Sequence, residues 1–310
     1  MEDKELAYFS EQGIIYKALI GKGSFGNIYM VYSTHYQQYF ALKKIEEKLF
    51  KQVEIDCLMT IDNANVINLY DYYRFNGYVY MLMEYCPWDL SRYIKKNRCV
   101  EDQYMAKYCY EILKAIKACH DLNIAHSDIK PSNLLIDNYG RIKVCDFGLS
   151  SYQNDQSSKS DYKGTLLFLP PEAFKGKPYN LLKADVWAIG ATFYFMATGN
   201  YPFNATSYLN YVRMINSGEL PTEKITDVYL RDVIEHCLVI EPEYRATVDE
   251  LLDLPYFSRF TATPVTRPRK VCVRSMSQVQ KIVKPMTTKL MKQKSEKNHM
   301  FMYNMRIHRA

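Results

Sequence analysis

Between residues 14 and 85, apolar and polar positions alternate in short runs rich in Ile, Val, Tyr and Phe, as in Tyr39-Phe40-Ala41-Leu42-Lys43-Lys44-Ile45 and Tyr78-Val79-Tyr80-Met81-Leu82-Met83-Glu84. A period of two with that composition predicts strands. One segment breaks the pattern. From Lys48 to Ile61, the apolar residues Leu49, Val53, Cys57 and Leu58 recur at helical spacing, which leaves Glu54 close to the inward face. From Gln103 onward the period changes, and Met105, Tyr108, Cys109, Ile112, Leu113 and Ile116 mark a long amphipathic helix ending near Asn123. Segments 181–199, 206–217 and 226–239 also read as helices. A mainly β first third followed by a mainly α remainder predicts two lobes of one α+β unit.

Composition changes this picture in two places. With 310 residues, 48% hydrophobic and 24% charged, the chain can bury one large core or two modest ones, which excludes disorder over most of its length. Eight cysteines form no CxxC or CxxH pair, so they read as free thiols in a reducing compartment. Met1 to Gly13 opens with acidic residues, without an apolar core flanked by positive charge. No run reaches the roughly 18 apolar residues of a membrane span. The expected location is intracellular, cytoplasmic and/or nuclear. The net charge of +6 is unevenly spread: residues 258–310 hold 13 Lys or Arg and one acidic residue, Glu296, against 27 and 33 in the remainder. That basic tail starts with Thr261-Ala262-Thr263-Pro264 and reads as flexible. Its charge would attract an acidic or polyanionic partner.

Chemistry concentrates in a few motifs. His126-Ser127-Asp128-Ile129-Lys130-Pro131-Ser132-Asn133, followed by Asp146-Phe147-Gly148, places two carboxylates, a lysine and an amide at the spacing that phosphoryl transfer from a metal-bound nucleotide requires. Gly21-Lys22-Gly23-Ser24-Phe25-Gly26-Asn27-Ile28 lies between two apolar runs, where missing side chains let backbone amides approach phosphates. A GxGxxG alone is also a tight hairpin, but Ala41-Leu42-Lys43 follows on the next strand, where a partly buried ammonium needs anionic partners. Phosphate oxygens and Glu54 can supply them.

Taken together and in this order, the motifs resemble the eukaryotic protein kinases from about Ile14 to Phe257, leaving 1–13 as an N-terminal extension and 258–310 as the tail. The resemblance implies a bilobal protein kinase fold, with a small, mainly β upper lobe with one helix (about 14–85) and a larger, mainly α lower lobe (about 86–257). It implies ATP and Mg2+ in the cleft. Ile20, the glycine-rich segment from Gly21 to Ile28, Ala41, Lys43, Met83, Glu84, Cys86 and Leu135 would contact the nucleotide, with Glu84–Cys86 as the hinge. Asp128 would serve as catalytic base, Lys130 would stabilise phosphoryl charge, Lys43 would pair with Glu54, and Asn133 and Asp146 would bind the metal. Leu58, Leu69, His126 and Phe147 match the apolar column joining the lobes. Glu172 and Arg245 match a structural ion pair. Lys130-Pro131-Ser132 resembles the serine/threonine branch, so the implied partner is a protein with a Ser or Thr acceptor.

Ser127 stands where many regulated kinases have arginine, so a phosphate on Ser157, Ser158 or Ser160 would lack its usual guanidinium; the chain would then be active as made, or rely on another basic group such as Lys143 or on a partner protein. Pro170 and Phe168 replace the usual alanine and tyrosine in a segment most similar to upstream kinases of the AMP-activated/SNF1 group, including calcium/calmodulin-dependent protein kinase kinases. Two other functions fit parts of the pattern. A pseudokinase scaffold would have lost the lysine or an essential aspartate, and none is lost. A small-molecule phosphotransferase is disfavoured by Arg245 and the lower-lobe motifs.

Overall fold

The computed structural model describes residues 1–23, 26–153, 164–205 and 207–261. Ser24, Phe25, the three candidate phosphate acceptors at 157, 158 and 160, and the basic tail beyond Thr261 lie outside the described residues.

The chain opens with helix α1 (Asp3–Glu11), followed by strands β1 (Ile14–Gly23), β2 (Gly26–Ser33) and β3 (Gln38–Glu46), helix α2 (Gln52–Thr60), and strands β4 (Leu69–Phe75) and β5 (Tyr78–Glu84). The five strands form one antiparallel sheet in the order β1-β2-β3-β5-β4. The central strands β3 and β5 are buried on both faces. Val79, Met81 and Met83 of β5 join the large core that continues into the lower lobe. Tyr80 and Leu82 point the other way and pack with Phe40, Leu42 and Phe9 in a second cluster.

Phe9 belongs to α1, so the N-terminal extension predicted by the sequence is an integral layer of the upper lobe. Glu5 and Phe9 of this helix are buried, and Tyr8 stacks on Phe75 at 4.2 Å between ring centroids. The second helix also differs from its prediction, beginning at Gln52 rather than Lys48. The preceding residues form turns in which Leu49 and Phe50 donate back to Glu46, and Leu49 stays exposed.

The lower lobe begins with β6 (Trp88–Asp89), α3 (Leu90–Asn97) and the long α4 (Asp102–His120). Asp89 caps α3 by accepting from Arg92 N–H. The predicted stripe from Met105 to Ile116 on α4 is buried. Short strands β7 (Ile124–Ala125), β8 (Leu134–Ile136) and β9 (Ile142–Val144) then carry the candidate catalytic segments. Helix α5 (Leu181–Thr198) is apolar nearly all round and runs through the core. It is followed by α6 (Tyr208–Ser217) and α7 (Val228–Cys237). A Cβ on Gly190 of α5 would lie 2.5 Å from Cys237 Cβ, so only glycine permits this approach of α5 to α7.

One buried ion pair ties the lower lobe together. Arg245 Nη1 and Nη2 donate to the two carboxylate oxygens of Glu172 at 2.7 and 3.0 Å. The guanidinium also donates to the carbonyls of Val239 and Lys183, and it lies 5.1 Å from the Trp187 ring centre. Removing one partner strands a buried charge. Arg245→Met is expected to cost about 3–5 kcal/mol, a fall in Tm of roughly 10 °C by calorimetry. Arg245→Met with Glu172→Leu should recover part of that loss, and an equal loss in single and double variants would show that the pair is not the anchor.

The upper lobe has its own acid-sensitive pair. Burial pushes the Glu5 carboxyl up, but hydrogen bonds from Lys44, Tyr80 and the Glu2 backbone outweigh it and hold the group below its usual range. Its stabilisation is therefore complete above the unfolded value of about 4.3 and is lost as pH falls through the lower folded value. Glu5→Gln is expected to destabilise the chain by about 3 kcal/mol at neutral pH. Thermal melts should show the gap to wild type narrowing below about pH 4. A gap independent of pH would count against an ionised Glu5.

Candidate active site

The cleft between the sheet and the lower lobe has a volume of about 660 Å³, within the range of small-molecule sites. Its roof is the hairpin of β1 and β2, where Gly21 pairs with Ile28 and Gly23 with Gly26. A Cβ on Gly26, whose φ is +152°, would fall 1.8 Å from the carbonyl oxygen of Lys44. Glycine is thus required where β2 begins against β3.

Ile20, Gly21, Lys22, Gly26, Ile28, Ala41, Lys43, Met83, Glu84, Cys86 and Leu135 all line the cleft. Asn27, from the same sequence-predicted set, does not. Asn27 instead donates its side-chain amide to the Tyr29 hydroxyl at 3.2 Å, because alternation along β2 turns it away from its neighbours Gly26 and Ile28. The sequence reading missed Ile67, Trp88, Arg92 and Cys145, which also line the cleft. Arg92 looks like an ordinary surface helix residue by pattern, yet its guanidinium donates to the Ile20 carbonyl at 3.1 Å. Cys145 had one available signal, its position directly before Asp146.

At the back of the cleft the structure brings Lys43, Glu54 and Asp146 together. Lys43 Nζ lies 2.6 Å from Glu54 Oε1 and 2.9 Å from Asp146 Oδ1. Burial alone would lower the Lys43 pKa, but the two carboxylates outweigh it and hold the ammonium above its usual range. Burial likewise raises Asp146, and the charge and hydrogen bond of Lys43 more than offset this, leaving its carboxyl below the ordinary value. Asp146 is therefore ionised at neutral pH.

The second cluster hangs from a buried acid, Asp185 of α5. Its carboxylate accepts the backbone N–H groups of His126 and Ser127, each at 2.8 Å, and contacts His120 Nε2 at 3.0 Å. The loop is shaped by two non-glycine residues at positive φ, Ser127 (+65°) and Asp146 (+67°), a conformation that costs energy and persists only where surroundings enforce it. His126 is fully buried. Its Nδ1 accepts from Asp128 N–H at 3.2 Å, so Nε2 carries the proton and donates to the Cys145 carbonyl at 3.0 Å. The imidazole thus couples the two motifs, and its ring lies 4.8 Å from that of Phe147. Leu58, His126 and Phe147 are buried, with Leu58 and Phe147 in one core and Leu69 packed against it.

Around Asp128 the contacts interlock. Lys130 Nζ sits 2.7 Å from Asp128 Oδ2 and donates to Thr165 Oγ1 at 2.9 Å, while the Thr165 hydroxyl donates to Asp128 Oδ1 at 3.1 Å. Asn133 Nδ2 donates to the Asp128 carbonyl and to Oδ2, at 2.9 and 3.0 Å. That fixes which end of the amide is spent on the loop and leaves Asn133 Oδ1 an acceptor with no partner among the described residues.

Lys143 is not available as the substitute phosphate partner that the sequence suggested. Its ammonium is buried and pairs with Glu84 Oε2 at 2.8 Å, the oxygen that also accepts from the Asn68 side-chain amide. β9 turns Lys143 toward Glu84 at the end of β5.

These groups fit a magnesium nucleotide. Among the described residues, no cluster of three His, Cys, Asp or Glu side chains could hold a metal by itself. The Asp146 carboxylate and Asn133 Oδ1 are hard oxygen donors of the kind magnesium takes while sharing the rest of its shell with phosphate and water.

Comparison with known proteins shows the family. Residues 14–257 match the protein kinase domain family. The chain is 35% identical over 268 residues to dual specificity protein kinase Ttk of Danio rerio, covering 79% of this chain and 27% of that protein. It is 32% identical over 204 residues to sperm motility kinase 2B of Mus musculus, covering 66% and 42%. Against Aurora kinase B of Danio rerio the identity is 29% over 248 residues, 76% of each chain. The chain thus spans less than half the length of the first two relatives. Relatives from separate branches at similar identity establish the family rather than the branch, and the chain belongs to the protein kinase domain family.

Proposed function

We propose that this chain is a serine/threonine protein kinase, transferring the γ-phosphoryl group of ATP to a protein hydroxyl. The observation that carries the reading is the joint placement of Lys43 between Glu54 and Asp146 with Asp128 held by Lys130, Thr165 and Asn133. Asn133 and Asp146 would hold magnesium, and the bound metal nucleotide supplies the phosphoryl group together with charge neutralisation at its oxygens. Asp128 orients the acceptor hydroxyl and takes its proton on the carboxylate. Lys130, already beside that carboxylate, offers positive charge where the phosphoryl group moves. Lys43 positions phosphate oxygens, and Glu54 keeps the lysine turned inward. Met83, Ala41, Ile28 and Leu135 form apolar walls suited to a base, with the backbone of Glu84–Cys86 as its hydrogen-bonding edge. Preference for Ser and Thr rests on Lys130-Pro131-Ser132. One relative is named as dual specificity, so tyrosine acceptors belong in the test.

Asp128→Asn, Asp146→Asn and Lys43→Met are each expected to lower phosphate transfer from labelled ATP to serine/threonine acceptors by about 10²–10⁴-fold. Each variant should keep its far-UV circular dichroism. Comparable transfer to tyrosine-only peptides would replace the serine/threonine assignment with a dual one, and unchanged transfer in all three variants would remove the reading.

Activity is also expected without a phosphate on the 157–160 serines. Ser127 brings no guanidinium, and Lys130 and Lys143 are engaged elsewhere. Phosphatase-treated protein should retain at least half its rate in an assay with fresh ATP over a single turnover. A loss of tenfold or more would show that some other cation takes the phosphate.

A further inference from the structure

The sheet carries two adjacent buried lysines, Lys43 and Lys44, each 8% exposed. Neighbours on a strand face opposite ways, so β3 presents one ammonium to the cleft and the other to the outer face. Lys43 meets Glu54 and Asp146. Lys44 meets Glu5 of α1 in a buried pair, with its ammonium 3.8 Å from the centre of the Tyr78 ring. Every donor around Glu5 is committed: Oε1 also accepts the Tyr80 hydroxyl at 2.5 Å, and Oε2 accepts Glu2 N–H at 2.9 Å. Lys44 is also the residue on which Gly26 sits, since its carbonyl occupies the space where a Gly26 side chain would be, and Asn27 pairs with it across the ladder. A displacement of Lys44 would therefore carry both the roof of the cleft and its neighbour Lys43.

A well-packed apolar pair could hold α1 on the sheet as well as, or better than, a buried ion pair. What the charged arrangement adds is a single geometry: one carboxylate and three donors, from the N-cap of α1, from β3 and from β5. We propose that Glu5 is a positioning residue for the nucleotide site, acting through Lys44 to fix β3, present Lys43 and seat Gly26 at the start of β2. Helix α1, which precedes the residues that match the family, is then part of the catalytic unit. This rests on the kinase reading above.

The test uses the full chain at 10 °C, so that every variant is assayed while folded as judged by circular dichroism. Wild-type binding of ATP–Mg is measured first; its absence would remove the kinase reading and this proposal together. Glu5→Gln and Lys44→Met are expected to lower kcat/KM for ATP about 5- to 20-fold while leaving KM for the protein acceptor within twofold. Phe260→Ala, which removes the stack on Tyr110 at the far end of the lower lobe, should leave both constants within twofold. Wild-type constants in folded Glu5→Gln would overturn the proposal, as would an equal loss in Phe260→Ala. Coupling between two sites is reciprocal, which gives a readout without any variant. Hydrogen exchange at the α1 amides of wild type should slow on saturation with a non-hydrolysable ATP analogue and magnesium. Exchange there that ignores the nucleotide, in protein shown to bind it, would overturn the proposal even if Glu5→Gln fails to fold.

Discussion

A cation removed from water must be met by an anion, and the site is organised around that constraint at Lys43. Burying an isolated ammonium is prohibitive in a low-dielectric interior, so a lysine at this point of β3 obliges two other segments to bring carboxylates to it. Glu54 fixes the rotation of α2 about its axis, and Asp146 fixes the loop after β9. With Asp146 set, His126 can donate to the preceding carbonyl, which in turn orients Asp128. The order of the site thus propagates from one ion pair through hydrogen bonds to the backbone, and each group is held by something other than the reaction it serves.

Asp185 meets a second requirement. Two consecutive N–H groups in a loop with left-handed φ have no ladder to join, and a buried donor without a partner costs about as much as a lost hydrogen bond. A carboxylate from the interior of α5 satisfies both, and His120 from α4 lies against it. Cleft, loop and lower-lobe core are therefore one mechanical object. A substitution in α5 far from any substrate would be felt at Asp128.

Much of this was legible in the sequence because the physics is local. Alternation from Tyr39 to Ile45 sets which side chains face the cleft, the stripe from Met105 to Ile116 sets the inward face of α4, and the spacing of Asp128, Lys130 and Asn133 lies within one loop. What escaped the sequence is what depends on distant partners. Nothing near Glu5 announces that it will be buried, because its partners Lys44 and Tyr80 lie 39 and 75 residues away. Lys143 reads as a free basic group until the antiparallel pairing of β8 and β9 places it under Glu84. Arg92 contributes through its reach to the Ile20 carbonyl, a contact that helical periodicity does not encode. Lys48 and Leu49 fit a helical repeat, but the chain needs a turn there to leave β3.

The pairing of Glu84 with Lys143 and Asn68 also has a pharmacological meaning. A carboxylate at the edge of a ligand cleft normally invites a basic amine on an inhibitor, but this one already pairs with a buried ammonium and accepts from a side-chain amide. Selectivity for this cleft would have to come from its soft walls instead. Met83, Cys86 and Cys145 place polarizable sulfur along one side, and burial pushes the Cys86 thiol up to about 12, favouring ligands that fit sulfur by shape and dispersion over those that react with it or seek a charge.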